Sequence, residues 1–147
     1  MKTTDKHIVV EETFTTSIEK VWKAITNVIE MRLWFFDNIE SFIPEVGFET
    51  QFLVQVEDRK YTHRWKIIEV VPNKKISYTW NYEEYPGDAS VTFELFEKRD
   101  QVTLKLSLNV IEDFPSDIPE FTIESCQAGW NYFIKERLKG YLESNLS

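Results

Sequence analysis

The sequence predicts an α+β fold: a curved antiparallel sheet of about six strands wrapped on a long C-terminal helix, with two short helices after the first strand. Three observations carry this reading. A β-rich opening segment is followed by two short helical patterns. Apolar residues then alternate with polar ones from Phe48 to Val110. A helical repeat closes the chain from Ile123 to Leu142.

The first strand is Ile8–Phe14. Thr16-Ser17-Ile18-Glu19 reads as a capping box, in which the Thr16 hydroxyl and the Glu19 carboxylate satisfy free backbone donors at a helix start. Ile18, Val21, Trp22 and Ile25 recur at helical spacing, and Val28–Phe36 reads as a second short helix. From Gly47 the period becomes two: Phe48, Thr50, Phe52, Val54 and Val56 share one face. Tyr61, His63, Trp65 and Ile67 share a face of the next strand, and the break in alternation at Ile67-Ile68 predicts a β-bulge near Ile68. Pro72-Asn73-Lys74-Lys75 reads as a turn into Ile76, Tyr78, Trp80 and Tyr82. Pro86-Gly87-Asp88 reads as another turn, before Val91, Phe93 and Leu95, and Arg99-Asp100 as a third. The last strand is the cleanest, with Val102, Leu104, Leu106, Leu108 and Val110 inward and Thr103, Lys105, Ser107 and Asn109 outward. One wet and one dry face mark a sheet covered on one side.

Ile123, Cys126, Trp130, Phe133, Ile134, Leu138, Tyr141 and Leu142 supply the cover. A helix over Glu120–Glu143 would be about 36 Å long, enough to cross the sheet. Gly129 inside it costs helix propensity, which a close approach to a strand would explain.

A chain of 147 residues fits one domain, expected over 1–147, and can bury most of its unfolded surface without staples. The formal charge of −8 argues against nucleic acid and against an anionic membrane surface. The single cysteine excludes an internal disulfide. Met1–Lys6 lacks the apolar core of a signal peptide and no apolar run is long enough to span a bilayer, so a cytoplasmic location is expected.

Several phrases go further: Glu19-Lys20-Val21-Trp22, Ile67-Ile68-Glu69-Val70-Val71-Pro72, Ile76-Ser77-Tyr78-Thr79-Trp80, and Gly129-Trp130 followed by Leu138-Lys139-Gly140-Tyr141-Leu142. In this order and spacing, over nearly the whole chain, they resemble the helix-grip fold of the START-like or Bet v 1-like (SRPBCC) superfamily. The branch they resemble is the stand-alone bacterial proteins related to the C-terminal domain of the heat-shock protein 90 ATPase activator. The resemblance implies a helix-grip fold and leaves the chemistry open, because members bind lipids, sterols, polyketides or hormones and some catalyse cyclisation or dehydration. The branch ordinarily carries a glycine near the position of Trp65, whose indole bears on the size of any pocket.

Aromatic residues make up 15% of the chain, so they either pack a dense core or line a pocket. The candidate ligand-binding residues are Trp34, Phe42, Phe52, His63, Trp65, Tyr78, Trp80, Phe93, Trp130 and Phe133. The functional reading is a cavity of roughly 300 Å³ or more between sheet and helix, closed by the Trp34–Phe42 segment. The plain reading is that these rings fill the grip. The inward His63 could orient a ligand carbonyl or serve as acid or base; it could equally be a core histidine bonded to a neighbour. Glu12 shares the Ile8/Val10/Phe14 face and would need a partner such as Arg64 or Arg32, or else be edge-exposed. A Cys126–His63 dyad competes with an inert core thiol. No metal-ligand spacing, phosphate loop or nucleophile elbow occurs, so no catalytic residue, metal or cofactor is expected. The expectation is a carrier or sensor of a small hydrophobic molecule. A protein-interaction or chaperone-associated module ranks second, and a cyclase- or dehydratase-like enzyme third.

Overall fold

A computed structural model describes residues 1–5 and 7–144; Lys6 and residues 145–147 of the expected 1–147 domain lie outside the described residues. Strand β1 (Ile8–Phe14) leads into helices α1 (Ile18–Thr26) and α2 (Val28–Trp34). A long irregular segment precedes β2 (Glu49–Val56), β3 (Arg59–Val71), β4 (Lys75–Tyr82), β5 (Tyr85–Lys98) and β6 (Gln101–Glu112). These form one antiparallel sheet in the order β1-β6-β5-β4-β3-β2. The closing helix is continuous, with α3 (Ile123–Asn131), a π-helical stretch (Tyr132–Leu138) and α4 (Lys139–Ser144).

Alternation sets the register. Val102, Leu104, Leu106 and Leu108 are buried, while Lys105 is half-exposed opposite Glu94 and Glu11. The bulge expected near Ile68 is present: Ile67 pairs with Tyr78 and Glu69 with Ser77, leaving Ile68 over and exposed. The sheet is thereby bent around the helix.

The closing helix buries Trp130, Ile134, Leu138 and Leu142, each four residues apart. In a regular α-helix residues four apart overshoot one turn by about 40°, so such a stripe would drift off the sheet. The wider π-helical turn takes back part of that drift and keeps the stripe facing the core.

Several expectations need correction. Ser17, not Thr16, caps α1, its hydroxyl accepting from the Lys20 amide at 3.3 Å. Helix α2 stops at Trp34 because Phe35 leaves helical geometry. Asn27 caps its start by accepting from the Ile29 and Glu30 amides. Pro86-Gly87-Asp88 is strand, not turn; the hairpin turns at Glu83-Glu84, between the paired Tyr82 and Tyr85. Pro86 is tolerated there because β6 pairs with β5 only from Asp88 onward, so no ladder bond to that neighbour is lost. The closing helix begins at Ile123 rather than Glu120, capped by the Thr122 hydroxyl, which accepts from the Ser125 amide. Gly129 makes no close approach to a strand: a Cβ built there meets nothing within 4 Å.

Candidate functional site

The ten candidate residues all reach the interior, and all but Phe133 are buried. They divide into two groups. On β2, β3 and β4 the rings fill the concave face. Phe52 stacks on His63 at 4.9 Å and meets Trp65 edge-on at 4.8 Å. Trp65 lies 4.9 Å from Tyr78 and 5.2 Å from Trp80. Phe42 packs edge-on against Trp65 and Tyr78 from the irregular segment after α2. Trp34 is held by its indole N–H, which donates to the Ala24 carbonyl at 2.7 Å.

Phe35 ties these rings to the helix. It stacks on Trp34 at 4.7 Å and on Trp65 at 5.6 Å, and meets Phe133 edge-on at 4.9 Å. Trp65 therefore points across the grip rather than lying flat along its wall, and the middle of the interior is packed.

Space remains at the other end. Trp80, Trp130 and Phe133 border an apolar pocket of about 120 Å³, smaller than the expected cavity. Tyr82, Ala89, Leu108 and Phe114 complete its walls, with Gly129 and Cys126 on the helix side and Met1 beside it. The pocket exists because Gly129 brings no side chain and Ala89 brings a small one, while Trp80 and Trp130 hold each other edge-on at 5.2 Å. Tyr82 was legible from its alternation with Trp80. Phe114, flanked by Asp113 and Pro115, belongs to no periodic pattern and gave no sequence signal.

The interior is electrostatically quiet. Burial drives the His63 pKa down to about 4, against the opposing bond between its Nδ1 and the Tyr61 carbonyl at 3.0 Å, so the ring is neutral at pH 7. Burial pushes the Cys126 thiol up to about 11, and its Sγ donates to the Glu120 carbonyl. Cys126 and His63 thus have separate partners and form no dyad. The Tyr82 hydroxyl accepts from the Trp80 indole at 2.8 Å, and burial raises its pKa. Glu12 is half-buried rather than edge-exposed, and its partners are Lys139 at 3.0 Å and Lys135 at 3.8 Å, not Arg64 or Arg32. Burial alone would raise its carboxyl, but the Lys139 and Thr13 hydrogen bonds and both lysine charges bring it below the usual carboxylate range. This pair clamps β1 to the closing helix. Among the described residues no group of three or more His, Cys, Asp or Glu could hold a metal, and no helix is long and apolar enough to cross a membrane.

Residues 15–143 match the family model described as Activator of Hsp90 ATPase homolog 1-like protein. The chain belongs to that family. Solved structures similar to this activator-homologue domain share its fold. Protein MLL2253 from Mesorhizobium loti is 24% identical, with a TM-score of 0.75 over 95% of this chain and 98% of the other. Protein CV1439 from Chromobacterium violaceum is 22% identical, with a TM-score of 0.75 over 93% and 96%. The Aha1 dimer from Colwellia psychrerythraea is 19% identical, with a TM-score of 0.72 over 97% and 100%. At these identities the likeness speaks to the fold. A comparison of the sequence with curated proteins finds no match.

Proposed function

We propose that this activator-homologue domain is a cytoplasmic, single-domain carrier or sensor that holds a compact hydrophobic molecule, about one ring in size, in the pocket beside Gly129. The observation that carries this reading is the apolar pocket walled by Trp80, Leu108, Phe114, Trp130 and Phe133, in an interior otherwise filled by rings. Drug-sized ligands need pockets of roughly 300 Å³ or more. A packed middle and a small open end therefore select for a small ligand or for one ring of a larger one. Calorimetric titration with ethylbenzene tests this. Saturable one-site binding is expected, lost in Ala89→Leu, whose added atoms occupy the pocket. Weak, non-saturating uptake, or uptake indifferent to that substitution, would count against the pocket.

A second reading, a protein-interaction or chaperone-associated module, draws on exposed apolar side chains. Ile29 is 67% exposed and Leu33 57%, one turn apart on α2, and Val46 is 66% exposed in the segment that follows. Charged substitutions at Ile29 and Leu33 would abolish binding of a protein partner and leave ethylbenzene binding intact.

A further inference from the structure

The sheet has two edges, and the fold treats them differently. At β1 the edge groups are already occupied. Lys135 Nζ donates to the Glu11 carbonyl at 2.8 Å, Lys139 Nζ to the Thr13 carbonyl at 3.2 Å, and the Thr13 amide to the Glu12 carboxylate at 2.9 Å. Charged side chains of this kind keep another chain off an edge. At β2 that protection is nearly absent. The strand runs eight residues in unbroken register with β3, carries no proline, glycine or lysine, and has no strand on its other side. Its Leu53 is 44% exposed and its Val56 37%. A long, regular edge is a template for one more strand.

One edge carbonyl shows where the donor of such a strand would stand. The Asn38 side-chain amide donates to the Leu53 carbonyl at 2.5 Å. In an antiparallel pair the N–H and C=O of one residue point the same way, so Leu53 faces away from β3, and Gln51 and Gln55 share its direction. Beside this stretch lies a groove of about 430 Å³, with Leu53 and Gln55 on one side and Phe36, Asp37, Arg32 and Arg137 on the other. Both guanidiniums are steered by backbone carbonyls: Arg32 donates to those of Ile39 and Glu40, and Arg137 to that of Leu33. Among the described residues neither forms an ion pair. In a chain of formal charge −8, this groove is lined by two oriented cations and one carboxylate.

We infer that the β2 edge receives an extended acidic segment of a partner protein, which adds as a further strand and sets its carboxylates against Arg32 and Arg137. The outward main-chain groups of Gln51, Leu53 and Gln55 supply the ladder, and Asn38 yields the Leu53 carbonyl to the incoming amide. The guanidiniums select the charge. A second copy of β2 fits less well, because Glu49 is its single acidic residue and two chains of charge −8 repel one another. The proposal rests on the reading of the domain as a protein-interaction module, adds the place and chemistry of the contact, and asks nothing of the apolar pocket.

Fluorescence anisotropy of a labelled octapeptide that alternates valine with glutamate tests this on the whole protein. Saturable binding is expected, about tenfold tighter than for the same peptide with lysine in place of glutamate, and about fivefold weaker in Arg137→Gln. Leu53→Pro removes an outward amide without touching the β3 ladder, so it should melt close to wild type and lose the peptide. A peptide N-methylated on alternate residues makes the same test from the other side and should not bind. Equal affinity for the glutamate and lysine peptides would overturn the acidic class. Binding that survives both Leu53→Pro and N-methylation would overturn the edge. Sedimentation equilibrium of the protein alone should give a monomer; a dimer that Leu53→Pro dissociates would assign the edge to a second copy and overturn the partner segment. Failure of every peptide to bind would overturn the strand addition, while a protein partner lost on charging Ile29 and Leu33 would keep the interaction reading standing.

Discussion

Phe52 and His63 sit directly opposite one another on β2 and β3, their rings stacked at 4.9 Å and 13°. Trp80 and Tyr82 close the histidine in edge-on, at 5.3 Å and 4.8 Å. This aromatic box disfavours the charged imidazolium and makes stability depend on pH. The folded pKa is about 4, against an ordinary value of 6.5. Above 6.5 both states hold the ring neutral. Between 6.5 and 4 only the unfolded chain takes up the proton, so stability falls as pH falls through that window. Going from pH 7 to 4.5 should cost about 2–3 kcal/mol through this residue. Denaturant melts of wild type and His63→Gln at the two pH values check it, the variant losing less. The lowered carboxyls of Glu12, Glu84 and Glu120 act at the acid end of the range, below their ordinary 4.5. Identical pH dependence in the two proteins would rule out the box as the cause.

Trp130 is 5% exposed and touches the rings of Phe35, Trp80, Phe93 and Phe133. Trp130→Ala should therefore destabilise the domain by about 3–5 kcal/mol, the usual cost of emptying a large core site. An unchanged denaturation midpoint would mean that the closing helix does not grip the sheet through this residue.

Gly87 has φ +117°, and a Cβ there would come within 2.4 Å of the Phe114 ring. Gly87→Ala combines backbone strain with a clash, for an expected loss of about 3 kcal/mol. Phe114 is also a wall of the apolar pocket. The same substitution should weaken ethylbenzene binding in the protein that remains folded, which calorimetry would show.

Gly129 is the opposite case. Its backbone is helical and a Cβ meets nothing within 4 Å. Gly129→Ala should stabilise the protein by about 1 kcal/mol through helix propensity alone. A lower melting temperature would reveal a conformational demand on this glycine that helix geometry does not account for.

The sequence by itself determined the architecture. Alternation in Val102–Val110 and in Tyr61–Ile67 allowed one register, because a one-residue slip would turn every apolar side chain to solvent. The doubled isoleucine at 67 and 68 announced the bulge for the same reason. The tertiary structure decided what local rules leave open. Pro86-Gly87-Asp88 carries turn residues, yet the turn lies at Glu83-Glu84, whose Glu84 carboxylate is held by the amide and hydroxyl of Thr62 from another strand. Glu12 finds its lysines across more than a hundred residues of chain. The size of the interior was equally hidden. Whether Trp65 lies along the wall or crosses the grip depends on Phe35, a residue that periodicity assigned to a helix and the fold places beyond its end. Periodicity reports which face a side chain takes, and a cavity is the volume left after rings from distant segments have packed against each other.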